Sequence, residues 1–186
     1  ETIIEEVLKI FRNKKRKFDI LDIGTGSGCL SVCLAKEYKR SKITAIDISK
    51  KALAVASKNF KLHNCNHQIL EKNCTVESLN KCFDLIVSNP PYLSKNDYEL
   101  TSLDIKKYEP KKAFYGGIDG LYFYNKFSNL LPKIMNPNSF LILEIGEKQA
   151  YKCMKLFDKS GLKFQKKVQD LQGKDRILIF SKLNVD

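Results

Sequence analysis

Three groups of residues have the types and spacing to do chemistry together. The first is the run Gly24-Thr25-Gly26-Ser27-Gly28, which follows the apolar stretch Phe18-Asp19-Ile20-Leu21-Asp22-Ile23. Glycines let the main chain turn sharply and let a ligand reach the backbone without side-chain obstruction. The second is Asp47, which closes the next apolar stretch, Ile43-Thr44-Ala45-Ile46, nineteen positions beyond Gly28. A carboxylate at that place can accept hydrogen bonds from both hydroxyls of an adenosine ribose, or simply cap the helix that follows. The third is Ser88-Asn89-Pro90-Pro91-Tyr92-Leu93, which leaves the apolar run Phe83-Asp84-Leu85-Ile86-Val87. Two prolines fix φ near about −65° and give no N–H to a sheet. The residue before them is pushed away from helix. The segment is therefore predicted to be a stiff, extended exit from a strand that presents one amide and one ring.

The glycine spacing narrows the ligand. Gly24, Gly26 and Gly28 form GxGxG, whereas a dinucleotide fingerprint needs glycine where this chain has Cys29. No phosphate-loop lysine follows, which disfavours ATP. An adenosine-bearing cofactor that need not carry phosphate fits; suppose that it is S-adenosylmethionine. Its sulfonium methyl is already activated, so the protein mainly has to align a nucleophile with it. A planar amide or exocyclic amine is a poor nucleophile because its lone pair is delocalised. Two acceptors that grip its N–H groups, the Asn89 side-chain carbonyl and the Pro90 backbone carbonyl, would orient it. The Tyr92 ring offers a face for the flat group to stack against. The bland alternative is a rigid turn used only in packing.

These groups need a scaffold to bring them together. Strands are predicted at 18–23, 43–47, 68–70, 83–87, 140–145, 164–168 and 176–180. Helices are expected over 2–12, 29–38, 50–63, 121–131 and 147–159, from apolar spacing such as Ile3, Ile4, Val7, Leu8 and Phe11. Residues 93–120 read as an irregular polar connection. Strands alternating with helices imply an α/β fold, Rossmann-like and doubly wound, with a mainly parallel seven-stranded sheet. The short 169–175 connection implies an antiparallel hairpin at the C-terminal end. In that topology the fourth strand ends beside the first, which brings Asn89 to the crevice of the glycine loop. The 186 residues read as one domain, and the opening at Glu1 inside a helical pattern reads as a fragment or excised domain.

Composition is globular, with 43% hydrophobic and 29% charged residues, and no apolar run approaches a membrane span. The net charge of +12 makes phosphate backbones or an acidic surface conceivable partners for stretches such as Arg12-Asn13-Lys14-Lys15-Arg16-Lys17. A solvated lysine-rich surface explains the charge equally well. The six cysteines, Cys29, Cys33, Cys65, Cys74, Cys82 and Cys153, form no CxxC pair and read as reduced core residues of an intracellular protein. His63-Asn64-Cys65-Asn66-His67 has metal-binding residue types but reads as a helix-to-strand loop, so no metal is expected.

With these motifs in hand, the chain resembles the class I methyltransferases, and among them the peptide-chain release-factor glutamine N5-methyltransferases. Besides LDIGTGSG and SNPPYL, the resemblance rests on YEPKKAFYGGIDGL (residues 108–121), LEIG (143–146) and DLQGKDR (170–176). It implies a cytoplasmic enzyme that methylates the glutamine amide in the GGQ motif of a release factor with S-adenosylmethionine, yielding S-adenosylhomocysteine. By the same resemblance, Gly24, Thr25, Gly26, Ser27 and Gly28 hold the methionine moiety and Asp47 the ribose. Asn73 and Cys74 border adenine, and Asp22, Ile48 and Asn89 complete the cofactor set. Asn89, Pro90, Pro91 and Tyr92 bind the substrate glutamine, with Asn89, Pro90 and Tyr92 acting in catalysis. Glu109 and Glu144 lie in family motifs and are given supporting roles. Asn73 stands where the family usually has Asp, and the family's N-terminal helical substrate domain is expected to be missing from this fragment. The Asn-Pro-Pro-Tyr motif is shared with methyltransferases acting on DNA adenine or RNA guanine amino groups, which form the same-class alternative. A non-catalytic RNA- or ribosome-binding module is the alternative of another class, for which weak RNA contact through the basic surface would suffice.

Overall fold

The structure is a computed structural model and describes residues 2–75, 79–101 and 110–183. The expectations placed on Tyr108 and Glu109 lie outside the described residues. Seven strands form one sheet: β1 (Asp19–Ile23), β2 (Lys42–Asp47), β3 (Gln68–Glu71), β4 (Phe83–Ser88), β5 (Met135–Glu144), β6 (Lys163–Gln169) and β7 (Asp175–Ser181). Their spatial order is β3-β2-β1-β4-β5-β7-β6. β1 to β5 run parallel, while β7 pairs antiparallel with both β5 and β6. The doubly wound, mainly parallel architecture with a C-terminal hairpin is thus as the sequence pattern foretold.

The helices are α1 (Thr2–Ile10), α2 (Cys29–Glu37), α3 (Lys50–Leu62), α4 (Lys95–Leu100), α5 (Tyr122–Leu130) and α6 (Ala150–Asp158). Strand side chains alternate between faces, and this alternation splits the core in two. Leu85 and Val87 of β4, Ile142 of β5, and Ile177 and Ile179 of β7 face α1, α2 and α3, packing with Val7, Leu34 and Phe60. Ile86, Leu141, Leu143, Leu178 and Phe180 face α5 and α6, packing with Tyr124, Phe127 and Phe157. Each fully buried side chain of this kind is worth about 1.5–3 kcal/mol of burial. Tyr38, at the end of α2, donates its hydroxyl to Phe11 O (3.0 Å), which anchors the end of α1.

Three departures from the sequence reading have physical reasons. Helix α4 sits inside the stretch read as irregular: Ser94 caps it, accepting from Asp97 N at 3.1 Å, but it has no buried residue and so no apolar period to detect. β5 begins five residues early, at Met135, although Pro137 and the left-handed Asn138 (φ 59°) lie inside it. The β4–β5 register shift between Phe83 and Leu85 accommodates that irregular start. Third, the cysteines are mostly not core residues, since Cys29, Cys33 and Cys82 are exposed and only Cys153 is buried.

The two sheet edges differ in kind. β3 has only four residues, Gln68–Glu71. β6 carries Lys163, Lys166 and Lys167 and is exposed along nearly its whole length, with register shifts against β7 on both sides of the Lys166–Lys167 pair. Lys166 ion-pairs at 2.8 Å with Glu6 of α1, which is itself buried. No helix among the described residues is long and apolar enough to cross a membrane.

Candidate functional site

The strand order changes direction between β1 and β4, and ligands of open α/β sheets bind beyond the carboxyl ends of strands at such a point. A cavity of about 800 Å³ lies there, within the range of roughly 300–1,000 Å³ usual for ligand sites. Four strand ends supply much of its wall. Gly24, Gly26 and Ser27 follow β1; Asp47 ends β2, and Ile48 and Ser49 follow it; Lys72 to Thr75 follow β3; Ser88 ends β4, and Asn89 to Pro91 follow it. The loop 110–113 and the start of α5 supply the remaining side, including Lys112, Tyr122 and Phe123.

The glycine loop is built on a buried carboxylate. Asp22 is 1% exposed and its Oδ2 accepts from Ser31 Oγ at 2.6 Å and Thr25 Oγ1 at 2.8 Å. Burial pushes its carboxyl above the ordinary aspartate range, against the pull of those two hydroxyl donors. The backbone then folds over onto β2: Gly24 N and Thr25 N both donate to Ile46 O, at 2.9 and 3.0 Å. Gly24 and Gly26 adopt left-handed φ of 72° and 56°, and a Cβ on either would meet nothing within 4 Å. They therefore leave an open cradle against the backbone. Gly28 serves another purpose, because a Cβ there would lie 3.0 Å from Ala56 Cβ of α3. It is a packing glycine, in contact with a helix rather than with the cavity.

Asp47 has both carboxylate oxygens engaged. Oδ2 accepts from Gly26 N at 2.9 Å, and Oδ1 accepts from Ser49 N at 2.8 Å. Each oxygen has a further lone pair, so the carboxylate can tie the loop down and still accept from a diol. Asn73 lines the cavity, but its Oδ1 accepts from Thr75 N (3.1 Å) and Thr75 Oγ1 (2.8 Å). That oxygen closes the turn after β3, so at the place expected to border adenine it is an acceptor already in use. Cys74 is half-buried, and its thiol is pushed up to about 11 by burial, with the Asp47 charge adding to the rise. It stays neutral and forms a polarisable apolar wall.

The Ser88–Tyr92 exit is held at the switch point by Ser88 Oγ, which donates to Ile23 O at 2.8 Å. Asn89 follows, exposed on the cavity wall, while Pro90 beside it is buried. Beyond the prolines the chain zips to another loop: Leu93 N donates to Phe114 O (2.8 Å) and Gly116 N to Leu93 O (2.9 Å). The Tyr92 hydroxyl points to Glu144 Oε1 at 3.5 Å, a long contact at the end of β5. Burial raises the phenol above its ordinary value, and the Glu144 charge adds to that. Burial likewise raises the Glu144 carboxyl, opposed by Arg176.

The cavity therefore brings together Gly24, Gly26, Ser27, Asp47, Ile48, Asn73, Cys74, Asn89, Pro90 and Pro91. Asp22, Thr25 and Gly28 lie behind it as supports, and Tyr92 stands beside it against Glu144. Sequence reasoning missed Lys51, Ala52 and Val55, which fall on the α3 face that follows Asp47, and Tyr122, Phe123 and Phe127 on α5. Helical spacing from Asp47 could have found the first three. Nothing local marks the α5 aromatics as cavity residues rather than core. His63 and His67 lie in the α3–β3 turn, with His67 stacked on Phe60 at 4.0 Å. Among the described residues no group of three or more His, Cys, Asp or Glu is placed to hold a metal.

Comparison with known proteins bears on the family and the fold. The chain is 38% identical over 185 residues to the release factor glutamine methyltransferase of Fusobacterium nucleatum, covering 98% of this chain and 52% of that protein. It is 39% identical over 180 residues to the protein of the same name from Flavobacterium psychrophilum, covering 96% of this chain and 62% of that one. The chain thus spans only about half to three fifths of the length of these relatives. Among solved structures, a methyltransferase from Pyrococcus furiosus superposes with a TM-score of 0.72 at 21% identity, over 98% of this chain and 83% of that one, and so shares the fold. A sequence model of the methyltransferase small domain matches residues 5–105, which take in the glycine loop, Asp47 and the Asn-Pro-Pro-Tyr exit together. Since that match spans more than half of the 186 residues, the chain belongs to the methyltransferase small domain family.

Proposed function

We propose that residues 1–186 form the catalytic domain of an enzyme that moves a methyl group from S-adenosylmethionine to a glutamine side-chain amide nitrogen, the glutamine being that of the GGQ motif in a peptide-chain release factor. The observation that carries this reading is the meeting, in one cavity, of an open glycine cradle with Asp47 on one wall and exposed Asn89 on the other. The names of the similar bacterial proteins support the choice of glutamine.

The residues present fit the cofactor. Gly24, Gly26 and Ser27 would lie along the methionine moiety, Asp47 and Ile48 at the ribose, and Cys74 beside the base. When bound, the cofactor supplies a methyl on a sulfonium sulfur, which becomes a neutral thioether as the carbon–sulfur bond breaks and the carbon–nitrogen bond forms. Asn89 Oδ1 and the Pro90 carbonyl accept the two amide N–H groups and hold the nitrogen toward the cavity. As positive charge develops on nitrogen, those acceptors bind more strongly than in the ground state, which is where their rate effect arises. Tyr92 stands beside the cavity against Glu144, where its ring would flank the amide rather than form the wall behind it. The methylated nitrogen then releases a proton to water, so no strong base is required.

This reading puts the reaction in the cytoplasm, where release factors act, and offers the exposed 12–17 basic loop for weak contact with ribosomal RNA. The test uses labelled S-adenosylmethionine, the full-length protein, a release factor, its GGQ Gln→Ala variant, and nucleic acid as duplex DNA and ribosomal RNA. Label on the release factor that disappears in the variant is the expected outcome. Label on nucleic acid alone would replace the reading with an amino-group methyltransferase of DNA or RNA.

A further inference from the structure

The Asn-Pro-Pro-Tyr exit is bonded at its far end to one side chain distant in sequence, Gln149, which follows the neighbouring strand β5. This residue precedes α6, and its backbone N donates to Gly146 O at 3.0 Å. Its side-chain oxygen accepts from Gly146 N at 2.9 Å. That double closure fixes the amide group, whose nitrogen donates to Tyr92 O at 2.8 Å and to Gly120 O at 3.2 Å. One side chain thus joins three backbone segments: the exit from β4, the loop before α5 and the turn after β5. A glutamine amide supplies both the acceptor and the two donors that this junction uses.

The glycines around the junction show how closely it is packed. A Cβ at Gly120 would lie 2.4 Å from both Gln149 Nε2 and Tyr92 O. One at Gly146 would lie 2.9 Å from Gln149 Oε1 and 3.3 Å from Tyr92 Cδ2. One at Gly116 would lie 2.6 Å from Pro91 O. Gly116 and Gly120 therefore let the loop before α5 press on the Pro91–Tyr92 backbone, Gly146 lets the turn after β5 approach the Tyr92 ring, and Gln149 bonds the segments there.

We infer that Gln149 is a positioning residue for the proposed methyl transfer: its amide nitrogen, by holding the Tyr92 and Gly120 carbonyls, sets the orientation of the Asn89–Tyr92 clamp. The inference rests on the function proposed above. It differs from a plain structural role in which atom matters. If Gln149 only closed the turn at Gly146, its side-chain oxygen would be the important one. If it positions the clamp, the nitrogen is.

Two variants of the full-length protein separate these. Gln149→Glu keeps the shape and the acceptor for Gly146 N but places an anionic oxygen against two carbonyls. Gln149→Met keeps the length and loses every side-chain hydrogen bond. We expect Gln149→Glu to be at least as harmful as Gln149→Met, with kcat on the release factor down about 10- to 100-fold and cofactor Kd unchanged. A second readout needs no substrate. Hydrogen exchange at the Leu93, Gly116 and Tyr122 amides, all bonded within this region, should quicken by about tenfold or more in Gln149→Glu. Exchange at Gly24 and Thr25 should not change. Wild-type exchange and turnover in Gln149→Glu would overturn the inference, as would equal quickening at Gly24 and Thr25. If the wild-type protein transfers no methyl to glutamine, the proposed function fails, while the exchange comparison still judges the junction.

Discussion

The two walls of the cavity are stabilised in different ways. On the cofactor side, polar groups close on one another over short stretches of chain: Thr25 to Asp22 across 3 residues, Ser31 to Asp22 across 9, Gly26 to Asp47 across 21. On the clamp side, the partners are distant: Gly120 to Gln149 across 29, Tyr92 to Glu144 across 52, Tyr92 to Gln149 across 57. The first wall is shaped by its own segment and the end of β2. The second is a stiff piece of chain whose aim is set by loops that fold up elsewhere. On the proposed function, binding a cofactor and orienting a substrate fall to parts of the molecule that can be perturbed separately.

The largest effect should come from the clamp. Asn89→Ala is expected to lower kcat by about 10²- to 10³-fold, as for other acceptors and donors that act mainly in the transition state. Cofactor affinity, measured by calorimetry, should stay as it is. Parallel loss of both would show that the two walls are not separable. Next comes Asp47→Ala, which leaves Gly26 N and Ser49 N without their acceptor. Cofactor binding should weaken by about 1–3 kcal/mol, with most turnover recovered at saturating cofactor. A loss of kcat that saturation does not restore would extend Asp47's influence to the clamp.

The smallest effect sharpens the cofactor side alone. The folded-state pKa of Asp22 is raised above its ordinary 3.8 by burial. A raised carboxyl binds its proton more readily in the folded than in the unfolded chain, so its contribution to stability is present below 3.8 and is lost as pH rises through the folded value. Asp22→Asn has no such titration. Its unfolding free energy relative to wild type should therefore climb as pH increases from about 4 and then level off. A flat difference would mean that Ser31 and Thr25 fully offset the cost of burial.

The same contrast explains what could be read from the amino-acid sequence. Gly24, Gly26, Asp47 and the strands around them announce themselves through local spacing, because their partners are near in the chain. Asn89 to Tyr92 were legible as a stiff exit because proline acts on its own residue and the one before it. Gln149 was not, since a glutamine opening a helix looks like any polar cap until Tyr92 and Gly120 arrive beside it. Gly28 matched a ligand-loop pattern, yet its constraint comes from Ala56 of another helix. Asn73 was read by residue type, and the type alone could not reveal that its oxygen is held by Thr75. Helix α4 escaped because a capped turn of six residues with no buried face leaves only Ser94 and Asp97 as clues.

The edges of the sheet have a bearing on colloidal behaviour. An unpaired strand edge is a template onto which another chain can add, and this protein guards each of its two edges. β3 is too short, at four residues, to give a partner strand much to grip. β6 is long enough, but Lys163, Lys166 and Lys167 would have to meet a second copy's lysines across a new ladder, and its irregular register spoils the fit. Fibril-like stacking of this sheet is therefore opposed at both ends, and replacing those lysines with threonine or valine would remove the guard from the longer edge.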